Sequence, residues 1–508
     1  MRRVAALAAM AVAASVMAGC GGEKDTKAKN PFDSALGVLP ASAPFVMAFE
    51  ADPDGPQIKN AVGLADRFPF SGQLKDRAKE QIESQGKFDL EDDLLPILGN
   101  PLVVGAKAPQ DLEGDSTFVG AIEVGDEAAL DRLLESASED GNLKELGEDG
   151  EATVYQADDS FYGVTGKLVV LADSREDIKD ALDTREGEDR LTEEDFDKRT
   201  GAVPKDALLR VMFDTRALIA ASKDPDAKVA VKVPWVKALT TAGVAVSAGT
   251  DDASLEVDLL GDDVPPEDLP IAPGAASPPV LQASGEQGEI TVGLRDLGHV
   301  FGFGERAGKA ANPDAFNQYE LGKQAIKGRY GVDVDADLIA QLRGESQLSL
   351  TPDGKFAVRA DLTDPAKFEK TLEDSAEFLP NALKGAGLAG AVIEKPRGNQ
   401  RLYAIARPGG GSIAYGVVDG KLVISNSPDR VASLAGAATQ QVAGAQGALA
   451  GQADSQGFAQ RLLEDQLGAG GLGSLFGGSI VGNLEELTFS LRDDPGSMRG
   501  RATLRLGR

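Results

Sequence analysis

One cysteine and one histidine set narrow limits on the chemistry open to these 508 residues. Cys20 closes the run Met17-Ala18-Gly19-Cys20, behind an uncharged apolar stretch from Ala5 to Ala18 that Arg2 and Arg3 precede. The stretch is too short for a stable spanning helix. A positive start, a short apolar run and small residues before a cut site form the pattern of a secretory signal. A sole histidine, His299, excludes His-rich metal sites, any two-His ligand motif and a His–His proton relay. Its setting, Leu297-Gly-His299-Val-Phe301-Gly302, reads as a satisfied core or loop position. No Gly-x-Ser-x-Gly elbow occurs.

Carboxylates are the remaining candidates. Asp333, Asp335 and Asp337 have the spacing of the first three ligands of a calcium loop. Leu338 then stands where that loop needs glycine, and Gly344 where it needs a bidentate glutamate. Asp89, Glu91 and Asp93 repeat the spacing, again followed by two apolar residues, so the expected role is negative charge at a helix start. Asp52-Pro-Asp54-Gly55 reads as a turn. Gly302–Gly308 lacks the Gly-Lys-Ser/Thr ending of a phosphate loop. Gly468–Gly482 is apolar yet glycine-packed, read as a loop or as the lip of a ligand groove; Trp235, the only tryptophan, reads as an anchor. No catalytic residue, cofactor or metal is expected.

The Cys20 motif resembles the lipobox of bacterial lipoproteins. That resemblance implies cleavage before Cys20 and acylation of its thiol. It places the mature chain at the cell membrane, lipid-anchored on the extracytoplasmic face. The net charge is −29, and near −31 once Arg2 and Arg3 are removed. Such a surface repels nucleic acid. With Cys20 alone, no disulfide forms within the chain, and stability must come from buried cores.

The rest of the chain must hold these residues in place. The expected division is a signal peptide at 1–19, a flexible tether at 20–34, unit one at 35–262, a Pro-rich linker at 263–288 and unit two at 289–508. The units read as copies. Thr117–Asp126 matches Lys355–Asp364, each a strand running into an Asp that can cap a helix. Gly166-Lys-Leu-Val-Val170 matches Gly420-Lys-Leu-Val-Ile424. Val244–Leu260 and Leu487–Leu506 each read as two closing strands. The expected fold class is α+β, two related units, each a mainly antiparallel sheet with helices packed on one face. The order βαββαβ over Thr117–Asp214 is compatible with a ferredoxin-like arrangement.

The lipobox, Leu39-Pro-Ala-Ser42, the stretch Asp89–Gly99 and the repeated Gly-Lys-Leu-Val strand together resemble a family of secreted bacterial proteins defined only as a domain of unknown function. The resemblance implies a cell-surface protein and transfers no catalytic residue. The expected function is a non-catalytic binding or scaffolding module of the cell envelope, with an apolar ligand or an envelope protein as partner. The alternatives are a carrier of an apolar small molecule or lipid, and a hydrolase.

Overall fold

The structure, a computed structural model, describes residues 30–68, 71–73, 95–112, 117–284, 286, 288–376, 379, 392–394, 402–406, 411–427, 431, 433–455 and 483–507. Cys20, the acidic triplet of Asp89, Glu91 and Asp93, and Gly468–Gly482 lie outside the described residues. The chain divides into two compact units. Unit one holds the described residues up to Lys223, Leu239–Gly261 and the chain end from Leu506; unit two holds Asp224–Ala238 and Asp262–Arg505. The stretch Asp224–Ala238, expected in unit one, thus groups with unit two.

Among the described residues, unit one is built on ten strands: β1 (Phe45–Phe49), β2 (Leu102–Ala106), β3 (Val119–Glu123), β4 (Lys144–Asp149), β5 (Ala152–Ala157), β6 (Ser160–Thr165), β7 (Leu168–Ala172), β8 (Leu209–Phe213), β9 (Leu239–Ala248) and β10 (Asp252–Gly261). They pair antiparallel in the order β4-β5-β6-β7-β3-β2-β1-β8-β9-β10. Its helices are α1 (Pro31–Leu36), α2 (Pro56–Ala65), α3 (Glu127–Glu139), α4 (Arg175–Glu186), α5 (Glu193–Thr200) and α6 (Thr215–Ala221).

Two expectations are corrected here. Between β3 and β8 lie four strands, not the two of a ferredoxin-like order, and β8 pairs with β1. Of the two additional strands, β4 and β5, the first is a polar edge, Lys-Glu-Leu-Gly-Glu-Asp, the composition that edges use against aggregation rather than a hydrophobic signal. Helices also cover both sheet faces, not one. Val46 and Ala48 point to α1, α4 and α5, where Leu36, Ile178 and Phe196 complete the main core. Phe49 and Ile122 point the other way, under Ile58 and Val62 of α2. The sequence cause is β1 itself: Phe-Val-Met-Ala-Phe is a continuous apolar run, and such a strand needs cover on both sides.

Unit two contains α7 (Pro225–Ala230), α8 (Pro234–Ala238), β11 (Val280–Leu281), β12 (Ile290–Arg295), α9 (Leu297–Ala311), α10 (Pro313–Tyr330), β13 (Glu345–Leu350), β14 (Phe356–Asp361), α11 (Pro365–Ser375), β15 (Val392–Glu394), β16 (Leu402–Ala406), β17 (Ser412–Val418), β18 (Lys421–Ser425), β19 (Thr439–Gln440), β20 (Leu449–Asp454), β21 (Leu484–Asp494) and β22 (Ser497–Leu506). The antiparallel order is β15-β16-β17-β18-β14-β13-β12-β20-β21, with β11 pairing β19 apart from it. Here too both faces are covered: Phe368 and Leu372 of α11 pack on Ala360 and Leu422, and Val431 and Leu434 pack on Ala357 and Val423.

The segment 263–288 is not a free linker. Leu269, Ile271, Val280 and Leu281, spaced between its prolines, are buried in unit two. Proline keeps this segment extended, and the apolar residues between fasten it down.

The Gly-Lys-Leu-Val strings prove to be one residue out of step. Thr165 pairs with Leu168, so Gly166-Lys167 form the first turn. Val418 pairs with Lys421, so Asp419-Gly420 form the second. Gly166 therefore occupies the place of Asp419, and both have the positive φ that the first position of such hairpin turns demands, 54° and 48°.

Candidate functional site

Among the described residues, the candidate ligand site is an apolar cleft of about 120 Å3 on one sheet face of unit one. It comes from one transverse row. Val104 on β2 stands beside Gly120 on β3, Gly120 opposite Leu171 on β7, and Leu171 opposite Tyr162 on β6. Neighbours that point to the same side are large, while Gly120 offers no side chain. Leu102, Phe118, Ile122 and Val169 form the rest of the apolar lining. Ser160, Tyr162 and Asp173 add the polar groups. Burial pushes the Tyr162 phenol up from its ordinary range, and the charge of Asp158 adds to the shift, so the hydroxyl stays protonated at physiological pH. A cleft of this kind takes an apolar group and offers hydroxyls to a polar head. It is close in volume to apolar cavities that hold a single small ring. The row joins residues from four strands, and sequence reasoning missed it entirely.

The sequence candidates lie elsewhere and have structural partners. His299 sits in the first turn of α9, half-buried, and its Nε2–H donates to the Leu269 carbonyl at 2.9 Å. Its backbone N–H is capped by Asp296 at 2.9 Å. Asp333 accepts from the Ala336 amide and is paired with Lys327 at 2.6 Å. Hydrogen bonds from Lys327 and that amide hold its carboxyl below the usual range. Asp337 is paired with Lys367 at 2.7 Å, and Asp335 with Lys323 at 2.9 Å. Asp52 accepts from the Asp54 amide in a turn, and Asp54 is paired with Lys59. Gly302–Gly308 lies within α9 rather than in a loop. Trp235 is half-buried in α8, behind Pro234.

Lys323 pairs with three carboxylates. Its ammonium touches Glu305 at 2.9 Å, Glu320 at 2.6 Å and Asp335 at 2.9 Å. It also lies 4.8 Å from the centre of the Tyr319 ring. Burial works against its charge, but the three carboxylates outweigh it and raise its pKa above the ordinary lysine value. Tyr319 donates to Glu305 at 2.9 Å; desolvation first, then that bond, pushes its phenol up to about 12. The cluster ties α9 to α10 and to the turn at Val334–Leu338.

These features define a mixed α and β protein with extensive antiparallel sheet and an apolar cleft on one sheet face. The chain belongs to a family described as protein of unknown function (DUF3352), whose profile matches residues 3–468. No curated protein sequence matches it. Among solved structures it is similar in part to TP0453. Crystal form III gives a TM-score of 0.27 at 10% identity, over 46% of this chain and 81% of that one. Form IV gives 0.27 at 10% identity, over 44% and 80%. A likeness so remote carries no argument about fold or function. Among the described residues, no helix is long and apolar enough to cross a membrane.

Proposed function

We propose that this chain is a lipid-anchored, extracytoplasmic lipoprotein, held at the membrane by acylated Cys20, that works without catalysis as a binding module. Within that reading, the ligand is an apolar small molecule or a lipid, and it enters the cleft over Gly120. The observation that carries the proposal is the cleft itself, whose lining is almost wholly apolar apart from Ser160, Tyr162 and Asp173. The engagement of His299, Asp333, Asp335 and Asp337 in structural bonds supports a non-catalytic role.

The reading further takes the two units as an old duplication. Each sheet runs in the same order when its strands are counted from the unit's first long strand. The rows match as well: Val104–Gly120–Leu171–Tyr162–Tyr155 in unit one, and Leu348–Val358–Ile424–Tyr415–Tyr403 in unit two. Val358 fills the position that Gly120 leaves open. Phe368 of α11 covers the second row's core, whereas α3 offers Leu130 at the matching place. On this account the cleft arises where unit one has lost side-chain volume.

Titration of the full mature chain with a neutral naphthylamine dye, which brightens in apolar surroundings, tests the proposal. Saturable binding by the wild type and its loss in Gly120→Val are expected. A wild type that binds no dye, or a Gly120→Val protein that binds it equally well, overturns the cleft as the site. Mass spectrometry of lipid extracted from protein taken from native membranes identifies the natural occupant.

A further inference from the structure

Asp493 is the most isolated ionisable group among the described residues. It lies near the end of β21 with none of its surface exposed, and neither carboxyl oxygen has a hydrogen-bond partner. A charge cannot rest in such a place without large cost, whereas the neutral acid can. Over it runs a strap, residues 269–276, whose Ile271 and Ala272 pack with Ala448, Leu294, Val300 and Leu491.

The strap is tied down almost entirely through its backbone. The Gly274 amide donates to the Asp493 carbonyl at 3.3 Å, and the Gly447 amide donates to the Ala275 carbonyl at 3.0 Å. Arg295, at the end of β12, donates to the carbonyls of Pro273 at 2.8 Å, Ala276 at 3.0 Å and Ala272 at 3.4 Å. His299 holds Leu269, as described above.

We propose that Asp493 is a proton sensor for this strap: the strap lies closed over the protonated carboxyl and loosens when the carboxyl ionises. Loosening admits water to the carboxylate, or lets Arg295 leave the strap carbonyls and turn towards it. Either movement releases the strap from the first turn of α9.

The charged surroundings fit this direction. On the same strand, Asp494 is occupied by Arg492 at 2.6 Å, and its negative charge disfavours ionisation of Asp493. On the strap side, Asp268 is paired with Arg306 of α9 at 3.2 Å. The neighbouring turn 445–448 carries no charge. The Leu269 carbonyl can only accept, so the His299 contact is an Nε2–H donation that ties the strap to the first turn of α9. Burial is the chief cause that pushes the Asp493 carboxyl up to about 7; the amides of Ile271 and Asp494 oppose it weakly and close no bond of good geometry. The sign follows: the closed strap holds its proton below that pH and loses it above.

Hydrogen–deuterium exchange on the full mature chain, from about pH 5.5 to about pH 8.5 and corrected for the intrinsic exchange rate, reads the opening. From pH 5.5 up to about pH 7, peptides covering 269–276 should lose protection about tenfold per pH unit and then level off, while those covering β12 and β13 stay protected. Asp493→Asn should keep the strap protected throughout, and His299→Gln should keep the wild-type slope. A flat wild-type profile overturns the proposal and requires no variant to fold. So does an unchanged slope in Asp493→Asn, or a slope that disappears in His299→Gln.

Discussion

Gly120 stands directly opposite Leu171 across β3 and β7, and the space that a larger residue would fill is the floor of the apolar cleft. A Cβ placed on Gly120 would lie 3.7 Å from the Leu171 Cβ and 3.8 Å from a Val104 methyl, which is ordinary contact. The glycine is therefore not demanded by crowding, and its φ is not positive. Glycine inside a strand costs about 0.5–1 kcal/mol relative to alanine. Gly120→Ala should accordingly raise stability by about that amount while reducing dye binding. Urea melts of the two proteins check it. A clear loss of stability would show that the open space is a requirement of folding rather than of binding.

Cys20 is predicted to be the membrane attachment. Cys20→Ala should leave the chain unprocessed or release it in soluble form, because two or more acyl chains give stable anchoring and their loss removes it. Fractionation with high-salt washing, followed by mass measurement of the N-terminus, decides the matter. A variant that is cut normally and stays with the membrane defeats the lipoprotein reading.

What the sequence revealed and what it hid follow one physical line. Asp126 and Asp364 were legible as helix caps because a cap is local: each accepts from an amide three residues on. The closing hairpins of Leu239–Gly261 and Leu484–Leu506 were legible for the same reason, as alternating strands around a polar turn. The cleft was hidden because residues 104, 120, 162 and 171 meet only through strand register. The covering of both sheet faces is visible in part, since Phe45–Phe49 is apolar throughout. The tie-down of 269–276 was masked by its prolines.

The caps give a direct stability test. Asp364 accepts from the Lys367 amide at 3.0 Å, and Pro365 opens the helix behind it. Asp364→Ala should cost about 1 kcal/mol, and Asp364→Asn only a fraction of that. Asp126→Ala, which removes the bond to Ala129, should behave alike. Equal melting temperatures for wild type and Asp364→Ala would reject the cap as a contributor.

Lys323 is predicted to act as the counter-ion that allows three carboxylates to meet. Its side chain is 9% exposed, so its charge is far less screened than those of the surface pairs. In Lys323→Met, Glu305, Glu320 and Asp335 lose their shared cation and repel one another. The variant should melt lower at neutral pH, and acidification or added salt should recover part of the loss. Recovery by neither would assign the effect to packing against Tyr319 instead.

Asp493 makes a stability prediction separate from the movement of the strap. In the unfolded chain its carboxyl titrates near the ordinary value of 3.8, and in the folded chain near about 7. Between those values the folded protein holds a proton that the unfolded protein has released. This group's contribution to stability is therefore greatest below pH 4, declines as pH rises towards 7, and is flat above. Asp493→Asn carries no titrating group and should remove that slope. The substitution should be close to neutral at pH 4 and stabilising by a few kcal/mol, roughly, at pH 8. Chemical melts at both pH values measure the difference directly. If Asp493→Asn instead lowers stability at pH 8 as much as at pH 4, the carboxylate has a partner in the folded protein and the burial argument fails.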